Sequence, residues 1–265
     1  MAHRPKCEPD NEPDAMPSWV WSQEWLNVLF LHWPVPVATL RSHVPAPVEI
    51  ATYQGAAWVS LVLFRLRVRP RWLPFLPGVS ELVEVNLRTY VHFRDRAGIW
   101  FLSVHADNRW AIRLARLLTP MPYLRATMRY RRAGDRFRFE AERASAPGLG
   151  LALTFVPIPG CVAAAGGTLD AWLLERYRLF VPGRRRAVAQ AEVAHPPWVT
   201  QGVEVCVSAN RLGSPFGLDL ARPPERAHYS AGVRARFGAF RGPEGLGPDD
   251  LRQPTAADLA AEPGR

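Results

Sequence analysis

The chain has 265 residues, 48% of them hydrophobic, and includes 10 Trp, 12 Phe and 26 Pro. That apolar content is enough to bury a substantial core, and so many prolines favour an all-β or α+β protein with frequent turns. The formal net charge is +9, but there is no basic tract with interleaved aromatics, no zinc-finger spacing and no RNA-recognition aromatic motif, so nucleic acid is not expected as a partner.

Residues 1–17 are Pro- and acid-rich without apolar periodicity and read as a disordered tail. They hold Lys6, the only lysine among 33 Lys and Arg residues. A lysine nucleophile must be desolvated or sit beside another cation to react near neutral pH. Arginine is no substitute, because its guanidinium stays protonated. Neither a Schiff base from a protein lysine nor a P-loop phosphate lysine is therefore expected. The tail has no apolar leader region, and Cys7, Cys161 and Cys206 form no CxxC pair. A reduced, cytoplasmic setting is the expectation.

His32 follows an apolar run in LFLHWPVP. From Trp58 to Arg69, Phe64, Leu66 and Val68 alternate with Arg65, Arg67 and Arg69, the period of a half-buried strand. After the Pro- and aromatic-rich loop RPRWLPFLPGVS comes the best-patterned strand, Glu84 to Phe93. Val85, Leu87, Thr89, Val91 and Phe93 share one face; Glu84, Asn86, Arg88, Tyr90 and His92 share the other. A five-residue turn, Arg94 to Gly98, leads to a partner strand, Ile99 to His105.

Asp107 is placed to N-cap a helix in which Trp110, Leu114, Leu117 and Leu118 form one buried stripe, with Arg109, Arg113 and Arg116 on a basic stripe. Pro120 and Pro122 end it. A second hairpin spans Leu124 to Arg143, turning at Ala133-Gly134-Asp135. The uncharged stretch from Gly148 to Leu169 contains Pro157 and Pro159 and reads as strand and loop, not as a membrane span. Thr168 caps a second helix, expected to run to about Phe180, and Glu175-Arg176-Tyr177 at its end reads as a surface ion pair plus a packed aromatic. Strands follow at Arg186 to Val193 and Tyr229 to Phe240, with His195 between them in HPPW. Residues 241–265 read as a flexible tail, leaving a single domain over 18–240. Hairpins dominate, so the expected class is α+β with a mainly antiparallel sheet closing into a barrel and a few short helices.

Residues two apart on a strand are about 6.5–7 Å apart, so Glu84, Asn86 and Arg88 can grip one small ligand. Arg88 suits a carboxylate, and Glu84 suits acid–base work if burial shifts its pKa. On pattern alone, the same face reads more simply as an exterior carrying ordinary charges. His32 and His195 are proton carriers or hydrogen-bonded structural residues. HxH, HExxH, GxSxG and GxGxxG are all absent, so no metal, cofactor or hydrolase triad is expected.

The order of motifs carries more information than any one of them. WPVPVATLRSHVPAPVEIATYQGAAWVSLVLFRLR, ELVEVNLRTYVHFRDRAGIWFLSVHADNRWAIRLAR, MPYLRATMRYRR, LLERYRLF and HPPW together resemble the YqjF-like family of the acetoacetate decarboxylase-like superfamily. The resemblance covers about Trp19 to Phe240. It implies an antiparallel barrel-like fold with a central small-molecule cavity, with Glu84 as the counterpart of a pocket glutamate. That moves Glu84, Asn86 and Arg88 towards a pocket face. The decarboxylase lysine pair does not carry over: after WFLSVHA this chain has Asp107-Asn108-Arg109. What is implied is a scaffold, not a reaction.

The expected function is therefore binding of a small organic acid or other compact polar molecule. Arg88 would anchor the anion, Asn86 would hydrogen-bond it and Glu84 would meet its polar end, with His32, Tyr90, His195 and Arg109 at the wall or mouth. The alternatives are a non-covalent acid–base enzyme of hydratase, isomerase or hydrolase type using Glu84, and an arginine-rich binder of nucleic acid or an anionic surface. No membrane partner is expected, and a homo-oligomer is compatible with the sequence.

Overall fold

The computed structural model describes residues 16, 18–72, 80–183 and 188–242. The expected tails fall almost wholly outside these residues, as does most of the loop after Trp72. Arg241, assigned above to the C-terminal tail, is held by a bridge to Gln190.

Long strand β1 (Trp19–Val35) and helix α1 (Val37–Arg41) precede two short strands, β2 (Glu49–Ile50) and β3 (Thr52–Tyr53). Next come β4 (Ala56–Pro70), β5 (Glu81–Phe93) and β6 (Arg96–Ala106). Helix α2 (Arg109–Leu118) leads to β7 (Tyr123–Ala133), β8 (Arg136–Arg143), β9 (Gly150–Pro157) and β10 (Val162–Ala163). Helix α3 (Leu169–Leu174) is followed by β11 (Arg178–Pro182), β12 (Val188–Ala194), β13 (Val199–Thr200), β14 (Val203–Asn210) and β15 (Arg226–Gly238). The chain is mostly β, with few helices.

The hydrogen-bonded path runs from β6 through β11, β12, β15, β1 and β4 to β5, and β5 pairs again with β6. Nearer its C-terminal end, β6 also pairs in parallel with β7, which carries β8, β9 and β14 away from this circuit. Except for β6 with β7 and β6 with β11, the strand pairs are antiparallel.

Two apolar clusters explain the unbroken hydrophobic runs of β1 and β4. Leu29, Leu31, Leu61, Leu63, Val85 and Leu87 pack with Phe137, Phe139 and Phe155 of the flanking strands. Phe30, Val62, Phe64, Leu66 and Tyr90 pack with Phe101, Leu179 and Phe237 in a second cluster. A strand buried on both faces loses the polar half of its alternation. For the same reason the polar row of β5 is not an outer face: Glu84 and Asn86 are 4% and 3% exposed.

Local details differ from the sequence reading. The first hairpin turns on two residues, Arg94 and Asp95, both at positive φ (49° and 60°), the backbone of a type I′ turn. Asn108, not Asp107, caps α2 by accepting from Trp110 N and Ala111 N; Asp107 Oδ1 instead accepts from Val83 N at 2.9 Å. Thr168 does cap α3, but the helix ends at Leu174 and Arg178 already starts a strand. The largest difference is in α2. Trp110, Leu114, Leu117 and Leu118 are 54%, 38%, 80% and 66% exposed, while Ile112 is buried. The helical period was correct, but the face turned inward carries Ile112, Ala111 and Ala115.

Candidate functional site

A cavity of about 590 Å³ lies against the second apolar cluster, within the usual size range of small-molecule sites. Trp21, Trp25, Phe30, Phe64, Trp198 and Phe237 form much of its wall. Two backbone irregularities aim these side chains. In β1 the register slips between Leu26 and Leu29, and Asn27 takes φ 51°. The extra residue reverses side-chain parity, so Trp21 and Trp25 precede the slip, Val28 and Phe30 follow it, and all four line the cavity. Tyr130 and Tyr229 hold the bulge by donating to Asn27 O at 2.7 Å and Asn27 Oδ1 at 2.9 Å. In β6 a similar slip opposite Leu87 and Arg88 turns His105 away from the cavity. Burial and the nearby Arg143 push the His105 pKa down to about 4.

Three polar groups of the cavity, Glu84, Asn86 and Arg88, lie in one row on β5. Glu84 Oε1 accepts from Asn86 Nδ2 at 3.0 Å, and Oε2 accepts from Tyr123 OH at 3.0 Å. Burial pushes the Glu84 pKa up to about 7, offset in part by these two donors and the positive charge of Arg88. Burial, and then the adjacent carboxylate, hold the Tyr123 hydroxyl well above its ordinary value, so Tyr123 acts as a donor. Asn86 Oδ1 is buried without a hydrogen-bond partner.

Arg88 lies 5.8 Å over the Phe30 ring and hydrogen-bonds Tyr90. Behind it, Ser60 Oγ contacts both Tyr90 OH and His32 Nδ1, the latter at 2.5 Å. Tyr90 also donates to Leu173 O at 3.0 Å. His32 and Tyr90 therefore support Arg88 from behind and are not part of the cavity wall. Burial, with His228 and Arg88 nearby, keeps His32 well below its ordinary pKa and hence neutral.

His195 does reach the wall. Its Nδ1 donates to Pro196 O at 2.7 Å, which leaves Nε2 as the nitrogen with a free lone pair. Burial lowers its pKa. Arg109 does not reach the cavity. As the first residue of α2 it is exposed, with its guanidinium 4.7 Å over the Trp110 ring. The backbone direction set by the Asn108 cap points it to solvent.

Several cavity residues were not singled out from the sequence. Tyr123 follows the two prolines that end α2, and no periodicity marks it. Arg176 was read as half of a surface ion pair with Glu175. Instead, Glu175 Oε1 accepts from Trp198 N at 2.9 Å, and Arg176 lines the cavity, 4.6 Å over Trp172 and 5.4 Å over Tyr90. The available signal was its place in the motif LLERYRLF.

Arg88 and Arg176 thus share one end of the cavity. Each has an Nε that is buried without a hydrogen-bond partner. Among the described residues neither forms an ion pair; burial, and to a lesser degree the charge of Arg88, lower the pKa of Arg176, partly offset by Tyr90.

Residues 22–234 match the DUF2071 family, described as an uncharacterized conserved protein. The chain belongs to the DUF2071 family. It is 36% identical over 219 residues to the "Uncharacterized protein YqjF" of Bacillus subtilis (strain 168), covering 82% of this chain and 89% of that protein. Solved structures of similar fold are acetoacetate decarboxylase-like. An acetoacetate decarboxylase-like enzyme from Sphingomonas wittichii RW1 aligns with a TM-score of 0.60 at 14% identity, over 85% of this chain and 93% of that one. The enduracididine biosynthesis enzyme MppR complexed with pyruvate aligns at 0.57 and 15% identity, over 86% and 91%. Legionella pneumophila acetoacetate decarboxylase aligns at 0.57 and 12% identity, over 89% and 93%. At these identities the likeness establishes fold alone.

Proposed function

We propose that the protein binds a small organic anion with an apolar body, held in a barrel-like enclosure formed by the strand circuit. Arg88 and Arg176 take the anionic head, and the aromatic wall takes the body. The supporting observation is the arginine pair itself. Two cations brought together with buried, orphaned N–H donors, and with no ion pair to either among the described residues, are costly, and a bound carboxylate relieves both the repulsion and the unmet donors. The expected ligand is less polar throughout than the sequence alone implied, because the wall between Trp21 and Phe237 is aromatic. A related scaffold carrying pyruvate, in MppR, is consistent with a keto or other carboxylic acid.

A thermal-shift series tests this by comparing short- and medium-chain carboxylates with their uncharged amides. A ligand at 100 times its Kd stabilises the fold by about 2.7 kcal/mol, roughly 5–11 °C for a chain this size. The carboxylates should shift the midpoint, the amides should not, and Arg88→Ala should abolish the response. Shifts that persist in both Arg88→Ala and Arg176→Ala would reject the assignment. A shift with duplex DNA alone, lost at high salt, would favour the anionic-surface reading instead.

One observation favours a second reading, a non-covalent acid–base enzyme. Glu84, poised near pH 7, stands on the same strand face as Arg88, about 13 Å away between Cα atoms. The carbon skeleton of an anchored carboxylate fits between them, where Glu84 can move a proton while Arg88 stabilises developing enolate-like charge. A turnover whose pH profile has a midpoint near 7 in wild type and is lost in Glu84→Gln supports this reading. Ligand binding without turnover leaves the protein a binder.

A further inference from the structure

Helix α2 leaves an unusual surface at the rim of the cavity. Trp110 and Leu117 are 54% and 80% exposed, and Leu114 and Leu118, 38% and 66% exposed, lie on the cavity rim. Across the mouth, Trp72 is 81% exposed and is also a rim residue. On one flank of the helix lie Arg109, Arg113 and Arg116, all exposed, and between residues 109 and 118 there is no carboxylate. The stripe that the sequence placed in the core is thus an outward face.

We propose that this face of α2, together with Trp72, docks on an anionic lipid bilayer with the cavity mouth turned towards the lipid. Tryptophan and leucine on one arc and arginine on the next are the composition of a helix that lies in the plane of a membrane interface. The charge decides between candidate occupants. A two-fold contact with a second copy would bring six α2 arginines together with no acid on either helix. An anionic surface neutralises them instead, and the net charge of +9 steers the protein to it. Docking does not involve crossing: among the described residues, no helix is long and apolar enough to span a membrane. A mouth that opens at the interface gives an apolar-bodied ligand a path that avoids bulk water.

The test is co-sedimentation of the full chain with vesicles of phosphatidylcholine alone or with about 30% phosphatidylserine, at low and physiological salt. Partition onto anionic vesicles should exceed that onto neutral vesicles at least tenfold at low salt. Leu117→Glu should lower it at least tenfold, and Arg113→Ala about fivefold. Both side chains lie outside the cavity wall, so the thermal midpoint and any carboxylate-induced shift should be unchanged. Equal, negligible sedimentation with both vesicle types overturns the proposal. So does a dimer in solution that Leu117→Glu dissociates, since a second copy would then cover the face. Neither outcome touches the cavity assignment, which is read from Arg88→Ala.

Discussion

Glu84 lies in an apolar wall, beside two donors and an arginine, and each neighbour alters how firmly it holds its proton. Its pKa rises from 4.5 to about 7 on folding, so the folded state binds the proton more tightly than the unfolded one. Stability from this group is therefore fully present below pH 4.5 and lost as pH rises through about 7, a cost of about 3 kcal/mol once the carboxyl is ionised. Glu84→Gln should remove that slope. Melting curves should show the variant gaining on wild type between pH 5 and 8, and parallel curves would refute the buried-carboxyl assignment. Tyr123→Phe acts in the opposite sense to the donor it deletes. Without the hydroxyl that favours the ionised form, the Glu84 midpoint should move up by about one pH unit, as read by a carbon-detected titration of the Glu84 carboxyl. The row Glu84, Asn86, Arg88 was legible in the alternation of β5. Tyr123 and Arg176 were not: no period marks Tyr123, and Arg176 falls in a stretch expected to be helix that instead links α3 to β11.

At the scale of elements, β1 shows how one residue sets the aim of a wall. Beside the slip at Asn27, β15 approaches β1 closely. A Cβ on Gly232 (φ +149°) would lie 2.2 Å from Trp25 O. Gly232→Ala should therefore cost about 2 kcal/mol or more, lowering the thermal midpoint by roughly 4–8 °C and weakening ligand response by shifting Trp25. An unchanged midpoint would mean that the bulge is not constrained there. Most element positions were readable from the sequence: the C-terminal half of β4, β5 and the β7–β8 hairpin follow period-two patterns, and the turn after Phe93 marks the start of β6. The α2 stripe was readable as a period and misread as a face. A helical moment reports which residues share a side, but burial depends on what the rest of the chain offers that side. Here the side turned inward carries Ile112 and two alanines, with Leu114 and Leu118 at the cavity rim.

Across the whole molecule, the lysine distribution constrains the chemistry. The only lysine is Lys6, and every basic group on the cavity wall is an arginine or a histidine. Borohydride reduction in the presence of pyruvate or acetoacetate should therefore leave no covalent adduct on cavity peptides. Mass spectrometry should find any adduct confined to Lys6 or the terminal amine, and a modified cavity residue would overturn this. The likeness to acetoacetate decarboxylase-like structures is one of fold, and a fold does not by itself assign a reaction.

Composition, alternation and motif order were enough to determine a β-rich chain of the DUF2071 family with a marked polar row on β5 and no lysine to form a Schiff base from its wall. They act locally or along the chain, where spacing alone carries the information. The inward direction of that row, the pairing of Arg88 with Arg176, and the outward face of α2 were decided only by the tertiary structure. Each depends on closing the strand circuit and packing β8 and β9 against it, which buries both faces along much of β1, β4 and β5. Side chains distant in sequence then share one cavity, and local periodicity cannot distinguish an inner face from an outer one.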